Sequence, residues 1–259
     1  MPSRYLLRLG AVITAVVLLS FAYALFPSAS VLDMDKAPPK VLLEEADKAL
    51  EKGKNDDAER LAAAALGKYI AQRDRNGALE VLNLQARIAA AMGNSEKAEA
   101  ILTRGYTLAN KSGDPALRSL AGDMLLKFYC SQKRPLKAQP LLRSIVEDYK
   151  KNNNLHDAGV VLLTYADALQ LLSSLTPAQR REVENTYLEA TRLFYHAQST
   201  FHQAVTHERL GDFVRVEKPL PAIGQYLQAM DLFTQLRRKD KAAEVQEKMD
   251  SLPIQMDRD

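Results

Sequence analysis

Three of the four histidines, His196, His202 and His207, fall in one short segment, which is where a metal centre would be sought first. Such a centre takes three or four donors on one face. His202 and His207 are five positions apart, a spacing that turns their side chains away from each other on a helix. His207-Glu208 opens the H-E-x-x-H pattern of a metalloprotease, but Gly211 stands where the second histidine belongs. The single cysteine, Cys130, lies in the apolar stretch MLLKFYC, where a buried free thiol is expected, and it has no partner for an intrachain disulfide. Phosphate-loop, dinucleotide-fingerprint and nucleophile-elbow motifs are all missing. The acid pairs Glu44-Glu45 and Asp56-Asp57 read as solvated helix faces or caps. No catalytic residue, metal ligand or cofactor is therefore expected.

The elements available to position any site are helices. Hydrophobic residues make up 47% of the 259, aromatics only 7%, and tryptophan is absent, a profile suited to close helix–helix packing. Lys and Arg total 35 against 32 Asp and Glu. Removing Arg4 and Arg8, which precede an apolar run, leaves 33 against 32, so the body is nearly neutral. A nucleic-acid partner, which would need a basic face, is not expected.

Residues 1–30 form a segment of their own. Leu9 to Phe26 is an uncharged run ended by Pro27. As a helix it would extend about 27 Å, close to the thickness of a bilayer core. One reading is a retained single-pass anchor with the body outside the cytoplasm, periplasmic in a bacterium, because Arg4 and Arg8 stay inside. Another is a cleaved secretory signal, with small-x-small sites at Ala22-Tyr23-Ala24 and Ser28-Ala29-Ser30, leaving a secreted body. An anchored body facing the cytosol is a third. Residues 31–40, with Ala37-Pro38-Pro39, read as a stiff spacer, and 253–259 as a frayed tail.

From 41 to 252 the pattern is helical hairpins. Leu42, Leu43, Ala46, Ala49 and Leu50 make one apolar stripe, and Gly93-Asn94 breaks the next hairpin in two. Small or apolar slots in the first helices fall at Ala46, Ala86, Leu126 and Ala166, and in the second helices at Ala58, Ala98 and Ala138. The step is constant at about 40 residues, a period at which helical repeats stack. Ser173 to Arg181 reads as a lengthened turn before the helix EVENTYLEATRLFYHA, and Pro140 either delays or kinks the helix around Ala138 to Tyr149. Lys241 to Leu252 reads as a terminal cap. In the last two hairpins the second helices run Ala190-x-x-x-Phe194-x-x-Ala197 and Ala222-x-x-x-Tyr226-x-x-Ala229, and the fifth first helix contains Leu210-Gly211.

These motifs resemble the tetratricopeptide-repeat family, with the longer step of the kinesin light chain group. The signature tryptophan is missing, and Leu126 replaces a small residue. The resemblance implies an all-α, right-handed α-solenoid of about five antiparallel hairpins. It further implies a concave groove lined by the first helices, which binds extended peptides or helices. Carried onto this register, the groove residues are Asn83, Arg87, Asp123, Lys127, Asp167, Gln170, Glu208 and Asp212, with Leu43, Asp47, Leu163 and Arg215 beside them. Only Asn83, Arg87 and Lys127 approximate the family's carboxylate clamp, and Asp123 would repel a carboxylate. The expected function is a non-enzymatic, membrane-tethered scaffold for a protein or peptide partner, assisting assembly of an envelope or membrane complex. An accessory or small-ligand protein is the alternative, with a pocket near Tyr195, His196 and His202.

Overall fold

The computed structural model describes residues 33–253; the apolar N-terminal run and residues 254–259 lie outside that range. Among the described residues there are eleven helices: α1 (Pro39–Glu51), α2 (Asn55–Ala71), α3 (Arg75–Ala91), α4 (Ser95–Lys111), α5 (Pro115–Ser131), α6 (Pro135–Lys151), α7 (Leu155–Gln170), α8 (Pro177–His196), α9 (Thr200–Val214), α10 (Pro219–Gln235) and α11 (Lys239–Asp250). They pair as five hairpins, with α11 covering the end of the fifth. Each helix packs on its neighbours in sequence, as a stack of repeats does.

The constant step has a simple origin. Helices α2 to α6 are each 17 residues long, and three-residue turns join them. Each turn is closed by one residue in the left-handed region: Gly53, Arg73, Gly93, Gly113, Lys133 and Asn153, with φ from 56° to 79°. These positions are evenly spaced, so a helix and its turn form one metrical unit. The non-glycine members carry a strain of about 1 kcal/mol each, held by the flanking helices.

All seven slots of the register are buried, six alanines and Leu126 alike. The glycines of the last two hairpins show why small residues are needed. A Cβ on Gly211 would lie 2.7 Å from the Tyr226 ring, and one on Gly159 would lie 2.8 Å from Phe194. In both hairpins the aromatic ring of the second helix therefore rests on a bare patch of the first.

Two boundaries differ from the sequence reading. Helix α8 begins at Pro177, because Thr176 and Gln179 form a capping box and Pro177 takes the first turn. Helix α6 begins at Pro135 and continues through Pro140. The chain also joins the body before residue 41: Ala37 is buried, and Lys68 Nζ donates to the carbonyls of Asp35 and Ala37. Among the described residues no helix is long and apolar enough to cross a membrane.

Candidate partner-binding groove

The two sides of the stack are not alike. Successive first helices (α1, α3, α5, α7 and α9) touch one another, so they line the inner side of the curve. Successive second helices stand further apart and are bridged by long polar side chains: Lys97 to Glu59, Lys137 to Glu99, Lys150 to Glu189 and Gln139 to Glu182.

On the inner side, hairpins one and two frame an open pocket of about 280 Å³. Leu43, Asp47, Asn83 and Arg87 form its wall together with Leu84, and Lys40, Glu44 and Glu80 stand at its rim. Three acids thus face two bases. Arg87 Nη1 donates to Asp47 Oδ1 at 2.7 Å, which joins the same slot of two hairpins and neutralises both side chains. Glu44, Glu80 and Lys40 have no ion-pair partner among the described residues, so two free acids and one free base leave this end of the groove with a net negative charge. A larger and more apolar cavity of about 380 Å³ lies between hairpins two and three, against Leu79, Leu82, Leu108 and Leu117. None of the eight predicted groove residues borders it.

Further along, the expected groove residues are engaged by the scaffold to different degrees. Lys127 Nζ donates to Asp123 Oδ2 at 2.7 Å, so neither basic centre of the sequence reading is a free charge. Asp123 is 7% exposed, and its other oxygen has no hydrogen-bond partner. Burial raises its pKa above the usual carboxylate value, against the pull of Lys127. Asp167 accepts from Tyr187 Oη at 2.6 Å and from Gln170 at 3.4 Å. Asp212 accepts from Tyr226 Oη at 2.9 Å and from Lys248 at 2.7 Å, and Lys248 also reaches Glu208 at 2.5 Å. In the fourth and fifth hairpins, then, the inner acids anchor a tyrosine from the paired helix or a lysine from α11.

An uncompensated buried carboxylate oxygen costs stability. Asp123→Asn is expected to raise the midpoint of thermal unfolding at pH 7 by the equivalent of about 1 kcal/mol. Because the folded-state pKa of Asp123 is raised, the penalty of its charge is present above that pKa and is relieved as pH falls through it. The advantage of the variant should therefore shrink toward pH ~4, which melts at the two pH values would show.

The histidines group differently from their order in the chain. His202 meets His156, with Nδ1 and Nε2 3.4 Å apart, and stacks on Phe194 at 5.1 Å between centroids. Ser199 and Asp157 complete this cluster, while His207 bonds Gln225 at 2.8 Å on the other side. His196 and Tyr195 are exposed, their rings edge-on to each other at 5.4 Å. Of the three residues offered as a ligand pocket, only His202 belongs to this cluster. Among the described residues no three metal-binding side chains converge.

By sequence, no protein-family profile matches this chain and no curated protein is similar to it. Among solved structures, BtubC (BKLC) from P. vanneervenii is similar with a TM-score of 0.56 and 14% identity, over 83% of this chain and 82% of that one. Ton1535 from Thermococcus onnurineus NA1 aligns with a TM-score of 0.45 and 20% identity, over 81% of this chain and 57% of its own length. At such identity the first likeness speaks to fold alone. The chain has an all-α helical-repeat fold.

Proposed function

We propose that this protein is a non-enzymatic scaffold of the tetratricopeptide type, a right-handed solenoid that captures a protein segment along its inner face. In this reading the N-terminal apolar run holds the body at a membrane, on the side away from the cytoplasm, where it assists assembly of a membrane complex. The observation that carries the reading is the inner-face pocket of hairpins one and two, which has Asn83 and Arg87 on its wall and two unpaired acids at its rim. Leu43 and Leu84 offer apolar wall, and Glu44 and Glu80 offer charge to an arginine or lysine. A pre-formed surface of stacked helices loses little entropy when an extended segment docks. A tether raises the effective concentration of membrane-bound partners.

The test belongs at the pocket, since Lys127 is needed to answer the charge of Asp123. Glu80→Lys combined with Asn83→Arg should reverse the rim charge and fill the pocket without touching the core. Affinity capture from solubilised membranes is expected to lose the co-purifying partner by about tenfold, equivalent to roughly 1.4 kcal/mol, at unchanged helicity. The same partner recovered at the same level would overturn the groove assignment.

A further inference from the structure

The apolar cavity of about 380 Å³ between hairpins two and three coincides with a gap in the repeat pattern. Eleven positions after the buried alanine of the second helix, hairpins one, three and five place a buried aromatic ring: Tyr69, Tyr149 and Phe233. Hairpin two places Ala109 there, and Ala109 lines the cavity. Leu117 stands where Gly77 lies under the Tyr69 ring one repeat earlier, and it closes only part of the gap. The position before the ring is also engaged in the neighbouring hairpins. Lys68 Nζ donates to the carbonyls of Asp35 and Ala37, and Asp148 takes the Arg118 guanidinium. In hairpin two that place holds Leu108, which is 56% exposed, and Ala78 stands where hairpin three has Arg118. Hairpin two thus leaves open and apolar a slot that its neighbours fill from their own side chains.

We propose that this slot is a binding site for a small amphiphilic anion, an aliphatic chain that ends in a carboxylate or a phosphate. Its volume falls in the range of small-molecule sites, about 300–1,000 Å³. The charges settle the sign of the head. Arg75 in the first turn of α3 and Lys111 at the end of α4 both border the cavity, both are exposed, and neither has an ion-pair partner among the described residues. No acid lines the cavity. An anion at its edge therefore meets two cations from separate helices, and a guanidinium can hold it by two parallel hydrogen bonds. The interior selects the tail. It is leucine and alanine, and the hydroxyl of Ser112 is already spent on the Ala109 carbonyl. A peptide would bring backbone N–H and C=O groups that such an interior cannot answer, whereas a hydrocarbon chain brings none. The inner-face pocket of hairpins one and two carries the opposite free charge, so the two sites do not compete for one ligand.

The experiment photolabels the full chain, held in phosphatidylcholine nanodiscs, with a decanoate analogue that carries a diazirine at the far end of its chain. Mass spectrometry then maps the label over residues 33–253. Label is expected on Leu79, Leu82 and Leu117, and unlabelled decanoate or decyl phosphate should compete it away; whichever of the two acts at the lower concentration names the head. Arg75→Glu with Lys111→Glu should cut the labelling about tenfold. Ala109→Tyr, which restores the ring of the other hairpins, should abolish it at unchanged helicity. If Ala109→Tyr loses helicity, the rim variant still decides, because both of its side chains are exposed. Label spread evenly over the body would overturn the proposal. So would competition by decanol as strong as by decanoate, since the cations would then select nothing. Displacement at lower concentration by an apolar peptide with a free C-terminus would overturn it in favour of a protein tail. None of these variants alters a groove residue, so partner capture tests the groove separately.

Discussion

Arg118→Ala is expected to destabilise the protein by about 3–5 kcal/mol. Arg118 of α5 makes a two-pronged ion pair with Asp148 of α6, Nε and Nη2 meeting the two carboxylate oxygens. Asp148 is only 1% exposed, and the guanidinium is what compensates its charge. Removing the arginine leaves a buried carboxylate with neither counter-charge nor water. The loss is far larger than for the surface pairs that bridge the outer side, each worth about 0–1 kcal/mol. Arg118→Lys keeps the charge but not the fork, and should fall in between. Arg118→Leu combined with Asp148→Leu should recover most of the loss, because the desolvation cost disappears with the charges. Urea titrations of the four proteins decide this. A wild-type midpoint for Arg118→Ala would show that the carboxylate finds another partner.

Tyr226→Ala should be comparably costly, at about 3–5 kcal/mol, but its damage should be local. The ring is fully buried against Gly211, and the hydroxyl donates to Asp212. Truncation opens a cavity between α9 and α10 and leaves Asp212 dependent on Lys248 alone. In a stack whose hairpins contact only their neighbours, hairpin five and α11 should open first while hairpins one and two keep their protection. Hydrogen exchange would show that gradient, and uniform loss of protection along the chain would contradict it. Tyr226→Phe removes only the hydrogen bond and should cost about 1 kcal/mol.

The register is legible in the sequence because close helix packing imprints itself on residue size. Ala46, Ala86 and Ala166, with Ala58, Ala98 and Ala138, are small since larger side chains would push two helices apart; Leu126 is the one larger side chain, and it too is fully buried. The same logic makes Leu210-Gly211 and Tyr226 visible as a pair. Electrostatic pairing is not legible in this way. Asp47 and Arg87, or Lys248 with Glu208, join equivalent places in neighbouring repeats, and the sequence does not say which of many charges finds which. Nor does the sequence show that inner-face acids such as Asp167 and Asp212 each accept a hydrogen bond from a tyrosine across the hairpin. By sequence His202 groups with His196 and His207, whereas its contact is His156 from another hairpin. The start of α8 does carry a local signal, since Thr176-Pro177-Ala178-Gln179 is a capping box with a first-turn proline.

The even beat of helix and turn bears on how such a chain is inherited. Asp74 and Asp114 each cap the first helix of a hairpin, one full repeat apart, and each follows a turn closed by a left-handed residue. Excising residues 75–114 would join Asp74 to Pro115, a junction equivalent to the one already present at Asp114, and copying the block would insert one more hairpin in phase. Loss or gain of this block keeps every turn and cap in phase, so the length of the inner face can change by whole hairpins.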